Sequence, residues 1–223
     1  MRLGNRAARI AALVVFVLSV TAFGAAAFAT GSRLISTNAG WVAGTVVTTR
    51  EVLLNRLIEG ALFPSEKLPV LHIQQVKSYA FIHETTSVLL EIAIAKEAAA
   101  FGATPVSKKQ FNKSVRRVEK RLRNNPLWRE LSPTNKEIKE IVETKLRAKN
   151  FLKFKVDAAT IPVSNDEAKA YFEANKLKFE NLPFANFKET IKAYLTKQRV
   201  DARLRDWFVS LRSKYHIRND LAE

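Results

Sequence analysis

The residues best suited to acid–base or metal chemistry are three histidines, His72, His83 and His216. A separation of 11 residues places His72 and His83 about 16 Å apart along a helix, too far to bind one metal ion together. The sequence has no cysteine and only 7 glycines, and it contains no G-x-S-x-G, glycine-rich phosphate loop or H-E-x-x-H motif. We therefore expect a protein that is not an enzyme, with no metal site and no cofactor. The histidines are interpreted as surface or half-buried helix residues.

Positive charge is the strongest chemical feature of the chain. Its 37 lysines and arginines exceed its 21 acidic residues by 16. Residues 107–155, which we call the basic arm, hold 16 basic residues and 5 glutamates, an excess of 11. Such a segment is either a solvated surface or a surface for acidic clients, anionic lipid headgroups or nucleic acid. The candidate residues of the basic arm are Lys108, Lys109, Arg116, Arg117, Lys120 and Arg123.

The N-terminus resembles a bacterial export signal. Three arginines precede residue 10, an apolar region follows from Ile10 to Val20, and Ala27-Phe28-Ala29 supplies the small residues that signal peptidase requires. We expect residues 1–29 to be a signal peptide and residues 30–223 to be the mature, periplasmic part. The alternative is an inner-membrane anchor, because Ile10 to Ala29 is a 20-residue stretch without charge.

Export argues against a nucleic-acid partner. Among the basic residues the only aromatic side chain in a predicted loop is Trp128, whereas nucleic-acid modules tend to expose several. Most aromatic residues have the spacing of a helix core, and an excess of apolar side chains could form a groove for polypeptides. The candidate client-binding residues are Phe81, Leu127, Trp128 and Phe154.

The elements that must position these residues are mainly helices. Four S/T-x-x-E/Q boxes predict helix starts, and a long apolar series from Val70 to Phe101 predicts one helix that Gly102 ends. A last helix is predicted from Phe184 to Tyr215. The stretch Trp41 to Val47 predicts one strand, which we expect to pair with a terminal extended segment over Tyr215 to Arg218. The four boxes are Thr48 to Glu51, Ser107 to Gln110, Thr134 to Glu137 and Ser164 to Glu167.

The order of these motifs resembles the N-terminal region of SurA-like, PrsA-like and PpiD-like periplasmic folding factors. The matching stretches are the strand entering T-x-x-E, then K-E-A-A-A-F-G ending at Gly102, then V-S-x-x-x-F, then V-S-N-D-E-A-K-A-Y-F-E-A-N from Val163, and the closing stretch from Phe184 to Ile217. The resemblance covers nearly all of residues 30–223. It implies a mainly α, SurA N-domain-like helical domain with long helices and a small two-stranded pairing of its N- and C-terminal segments.

The family usually carries a parvulin-type prolyl isomerase domain between the last two helices. Here only Glu180, Asn181, Leu182 and Pro183 separate Phe179 from Phe184. The resemblance therefore implies a periplasmic holding chaperone for unfolded outer-membrane or secreted proteins, without catalysis. Two other functions remain open: a basic envelope scaffold or membrane-surface adaptor, and a non-catalytic relative of a peptidyl-prolyl isomerase that works with a partner.

Overall fold

The computed structural model describes residues 36–64, 70–102, 105–179 and 182–222. The expected signal segment, residues 1–29, lies outside this part of the chain. The described residues form a mainly helical protein with seven α-helices and one three-stranded antiparallel sheet. The elements are β1 (Asn38–Val42), β2 (Thr45–Thr48), α1 (Thr49–Leu62), α2 (Tyr79–Ala100), α3 (Lys108–Leu122), α4 (Pro126–Leu131), α5 (Asn135–Ala159), α6 (Asn165–Ala174), α7 (Lys188–Lys214) and β3 (Arg218–Asn219).

The stretch predicted as one strand is a β-hairpin. Its two-residue turn is Ala43-Gly44, and both residues have positive φ, 51° and 75°, as the tightest hairpin turns require. β3 pairs with the other edge of β1, so the sheet order is β2-β1-β3. The predicted pairing of the first and last segments is thus confirmed. The predicted two-stranded sheet is wrong, because the hairpin contributes two strands and the paired terminal residues begin only at Arg218.

The capping boxes start the helices that the sequence predicts. At Thr48, Thr134 and Ser164 the hydroxyl accepts from the backbone N–H three residues later, and the glutamate there accepts from the cap backbone. Ser107 accepts from the backbone N–H of Gln110, which is the first half of such a box. Helices α1, α5, α6 and α3 therefore begin one residue after these caps.

Two helix boundaries differ from the prediction. The apolar series from Val70 begins with three residues outside any helix and a 3₁₀ turn at Ile73–Gln75, and α2 starts only at Tyr79, where Ser78 caps it. The loop predicted around Trp128 is the short helix α4, capped by Asn125 with Pro126 in its first turn. Pro126 suits that position because it has no N–H to leave unpaired.

The core consists of three packed regions. The largest joins α2 to the sheet, α5 and the end of α7, and the second joins α1, α3 and α5. The third joins α6 to the first half of α7 around Phe172 and Ile191. There the rings of Phe179 and Phe184 both contact Phe172, with centroid distances of 4.9 and 5.6 Å. Within the described residues, no helix combines the length and apolarity needed to cross a bilayer.

A buried lysine joins three helices. Lys145 of α5 is fully buried, and its Nζ lies 2.6 Å from Glu91 of α2 and 3.1 Å from Glu59 of α1. Burial alone would lower the pKa of Lys145, but the carboxylates of Glu91 and Glu59 raise it. The lysine therefore stays charged, and its two ion pairs fix the packing of α1, α2 and α5.

A second polar junction connects α1 to the start of α5. The guanidinium of Arg50 donates to the carbonyl of Leu131 at 2.7 and 3.1 Å and to Glu137 at 2.5 Å. Glu137 also accepts from the backbone N–H of Thr134 at 2.7 Å as part of its capping box. The hydrogen bond from Arg50 is the main cause that lowers the pKa of Glu137 to about 2.

This junction predicts a loss of stability in acid. The folded-state pKa of Glu137 lies below the ordinary value of 4.5, so its stabilisation is complete above about pH 4.5 and is lost as the pH falls towards 2. We expect Glu137→Gln to lower the free energy of unfolding by about 1–3 kcal/mol at pH 7, with the partial exposure of the carboxylate taken into account. Urea unfolding at pH 7, 4 and 3 should show the difference between the two proteins shrinking with each step.

Glu140→Gln is the matched control for this prediction. Its carboxylate is 62% exposed, and Lys136, at 3.8 Å, is its one ion-pair partner among the described residues, so the substitution should change stability by less than about 0.5 kcal/mol at every pH. A Glu137→Gln difference that stays constant between pH 7 and pH 3 would contradict the assigned role of the Arg50 ion pair.

Candidate binding site

An apolar cavity lies between α1, residues 70–74, the end of α3 and α4. Its volume is about 810 Å³, within the range of about 300–1,000 Å³ that ligand pockets occupy. Nine of its sixteen lining residues are Leu, Val, Ala or Pro, and six are polar or charged. The lining residues used below are Leu53, Leu57, Val70, Leu71, Leu122 and Leu127, with Arg121 and Glu130 as charged neighbours.

The wall formed by α1 and α3 is fixed by two arginines at the end of α1. Arg117 donates to the carbonyl of Leu62 at 3.2 Å, and Arg121 donates to the carbonyl of Ala61 at 2.7 Å. The last carbonyls of a helix lack partners within the helix and carry partial negative charge, so a guanidinium both satisfies and stabilises them. These contacts hold the end of α3 against α1 and keep the cavity between them in shape.

The inner wall contains a buried ion pair. Arg56 lines the cavity, and its guanidinium lies 3.1 Å from the Oε2 of Glu84 on α2, with both side chains 8% exposed. Burial raises the pKa of Glu84 above its usual value, although Arg56 acts in the opposite direction. The Oε1 of Glu84 has no hydrogen-bond partner among the described residues. The pair orients Arg56 at the base of the cavity.

The four predicted client-binding residues lie in different places. Phe81 is completely buried in the core, because the first turn of α2 directs it inward, and its role as a client-binding residue stays a prediction. Leu127 is half-buried and lines the cavity. Trp128, its neighbour, is half-buried and packs between the two main core regions. Only Leu127 therefore belongs to the cavity wall.

Phe154 belongs to a separate aromatic cluster. Its ring is 46% exposed and stacks on the buried Phe151 at 5.9 Å. Phe151 also contacts Phe101 at 5.9 Å and Trp207 at 6.1 Å. The cluster joins the end of α2 to α5 and α7, and the described cavity does not include it.

The predicted basic-arm residues all lie on or next to α3 and are exposed. Arg117 differs from the others because it donates to α1. For the other five, no ion pair forms with any acidic side chain in the described ranges. These five are Lys108, Lys109, Arg116, Lys120 and Arg123.

Sequence reasoning missed most of the cavity wall. The sequence predicts Val70 and Leu71 in a helix, but both precede α2 and line the cavity together with residues of α1 and α4. The polar, proline-bounded stretch before Val70 was the one available signal for this break.

His72 lines the cavity and His83 lines a second one of about 490 Å³. No group of three potential metal ligands occurs among the described residues.

Comparisons of this chain with protein-family models, with curated proteins and with solved structures found no match. The resemblance to periplasmic folding factors therefore remains a prediction from sequence motifs. The assignment of function depends on the geometry of the cavity and of the charged surface next to it.

Proposed function

We propose that this chain is a non-catalytic holding chaperone of the bacterial envelope, which binds apolar segments of unfolded polypeptides in the cavity between α1 and α4. The observation that carries the proposal is the apolar part of the wall of this cavity, which supplies more than half of the lining residues of a volume of about 810 Å³, with Val70 77% exposed at its edge. A solvent-accessible apolar concavity of this size gains free energy when apolar side chains enter it.

The chemistry of the wall suits many different clients. Aliphatic side chains such as Leu57 and Leu127 impose no hydrogen-bond pattern, so affinity depends on apolar area rather than on one sequence. Arg56, Arg121 and Glu130 add charges of both signs to the lining. Weak binding of many sequences without a cofactor or ATP is what a holding chaperone requires.

The short connection between α6 and α7 supports a function without prolyl isomerase activity. The aromatic contacts of Phe172 with Phe179 and Phe184 close this connection directly. The sequence between Phe179 and Phe184 is four residues long, which is far below the size of a domain. The proposed role is therefore to hold clients, and proline isomerisation is expected to stay at its uncatalysed rate.

The test is suppression of aggregation by a cavity variant. We expect the purified chain to slow aggregation of an outer-membrane protein diluted from urea, measured by light scattering, without accelerating prolyl isomerisation in a peptide assay. Val70→Asp places a charge at the apolar edge, and binding then requires its desolvation. We expect client binding on the order of 10-fold weaker.

Val209→Asp is the matched control. Val209 is 68% exposed on α7 and does not line the cavity, so this variant should suppress aggregation as the original chain does. Equal loss in both variants would place the client site elsewhere. Absence of suppression at several-fold molar excess of the original chain would contradict the holding function itself.

A further inference from the structure

The exposed face of α3 carries a continuous line of basic side chains. Its residues follow at i, i+4, i+7, i+11 and i+14, which at about 100° per residue places all five within a band of about 80°. The line is about 21 Å long at 1.5 Å per residue. We call it the basic stripe, and it consists of Lys109, Lys113, Arg116, Lys120 and Arg123.

The basic stripe points away from the protein body. The buried residues of α3, among them Val115, Val118 and Leu122, pack against α1 and α5 and lie on the opposite side of the helix. All five stripe residues are exposed, and none forms an ion pair with another described residue. The two arginines that stabilise α1 lie beside the stripe and do not belong to it. The charge of the stripe is therefore available to a partner.

The shape of this face selects among anionic partners. The helix residues that flank it are Asn112 and Glu119 on one side and Arg117 and Arg121 on the other, so this exposed face carries no apolar or aromatic side chain. A peptide is normally held by a groove or by pockets, and single-stranded nucleic acid is held by stacking aromatic residues. A bilayer with anionic headgroups requires neither, because it attracts each nearby lysine or arginine electrostatically.

We propose that the basic stripe of α3 binds the surface of a membrane that contains anionic phospholipids. This inference is independent of the polypeptide cavity, because no stripe residue lines that cavity. Binding is electrostatic and reversible, and it declines as salt is raised because the exposed charges are screened. It would place the cavity of the chaperone close to polypeptides that emerge from the membrane.

The experiment is vesicle sedimentation of the full chain with phosphatidylglycerol-containing vesicles and with pure phosphatidylcholine vesicles. The measured quantity is the partition coefficient for phosphatidylglycerol-containing vesicles divided by that for pure phosphatidylcholine vesicles. This ratio removes any contribution of apolar segments that bind both kinds of vesicle. We expect Lys113→Gln, Arg116→Gln and Lys120→Gln together to lower this ratio on the order of 100-fold at low salt. Circular dichroism should show an unchanged fold, because the three side chains are exposed and form no ion pair with another described residue.

The control removes the same three positive charges elsewhere, at Lys178, Arg205 and Arg212, which are exposed outside the basic arm. It should retain most of the preference for anionic vesicles. An equal loss in both triple variants would show that only net charge matters and would overturn the assignment to α3. Binding of the original chain to poly-glutamate or DNA, without a preference for anionic vesicles, would overturn the choice of partner.

Discussion

Replacement of Lys145 by methionine is expected to destabilise the protein by about 3–5 kcal/mol. The ammonium of Lys145 is fully buried and pairs with Glu59 and Glu91. Methionine fills a similar volume but removes the positive charge that pairs with these two carboxylates, which are 20% and 24% exposed. Removal of one partner from a buried ion pair typically costs this amount, because the remaining charge keeps its desolvation penalty. Urea unfolding at pH 7 measures the loss directly.

The control and the rescue separate charge from packing. Lys136→Met removes a lysine that is 84% exposed and lies 3.8 Å from Glu140, so stability should change by less than about 0.5 kcal/mol. A triple variant with Lys145→Met, Glu59→Leu and Glu91→Leu should recover most of the loss, since apolar residues can replace a buried ion network. A loss below 1 kcal/mol for Lys145→Met alone would contradict the role of this network.

The raised pKa of Lys145 determines how the stability contributed by this network changes with pH. The pKa of Lys145 is raised above the ordinary value of 10.5, so its stabilisation is present below about pH 10.5 and is lost as the pH rises through the folded-state pKa. The stability difference between the original chain and Lys145→Met should therefore be constant from pH 7 to pH 9 and should shrink only in stronger alkali.

The helix starts could be predicted because their signals are local. Each capping box lies within four residues, and the boxes at Thr48, Thr134 and Ser164 form both hydrogen bonds that the motif implies. The start of α2 was misplaced because apolar spacing alone does not separate an extended segment from a helix. Ser78 caps α2 without the sequence signal of a capping box, since phenylalanine and not glutamate follows three residues later.

The interior charges could not be predicted as easily, because burial depends on distant elements. Lys145 follows Ile138 by seven residues and therefore lies on the apolar face of α5. Its two partners come from α1 and α2, more than 50 residues earlier. The cavity also could not be predicted from local sequence, because its wall combines α1, residues near Val70, α3 and α4.

Substitution of Gly40 by alanine is expected to open the junction between the two ends of the described chain. A β-carbon at Gly40 would lie 2.4 Å from the carbonyl oxygen of Arg218 and 2.8 Å from the Cδ1 of Leu89. The first neighbour is backbone, so relief of the clash requires β3 to move away from β1. Overpacking of this kind costs about 1–3 kcal/mol, and we expect about 3 kcal/mol because strand pairing is also lost.

The local consequence is more specific than the loss of stability. β3 is held by the hydrogen bond from the N–H of Asp220 to the carbonyl of Ala39, at 3.0 Å, and by the side chain of Asn219, which donates to α2 at Ile82 and Thr86. In Gly40→Ala, hydrogen exchange should show loss of protection at Asp220 while the amides of α5 remain protected under native conditions.

Gly44→Ala is the control for this experiment, because it changes a glycine of the same hairpin without a steric clash. No atom lies within 4 Å of a β-carbon at Gly44, but its φ of +75° strains any other residue, at a cost of about 1–2 kcal/mol. Gly44→Ala should therefore reduce stability moderately and leave Asp220 protected. Equal protection of Asp220 in both variants would mean that β3 does not depend on close approach at Gly40. Loss of protection at Asp220 in Gly40→Ala alone would show that the absence of a side chain at Gly40 allows β3 to pair with β1.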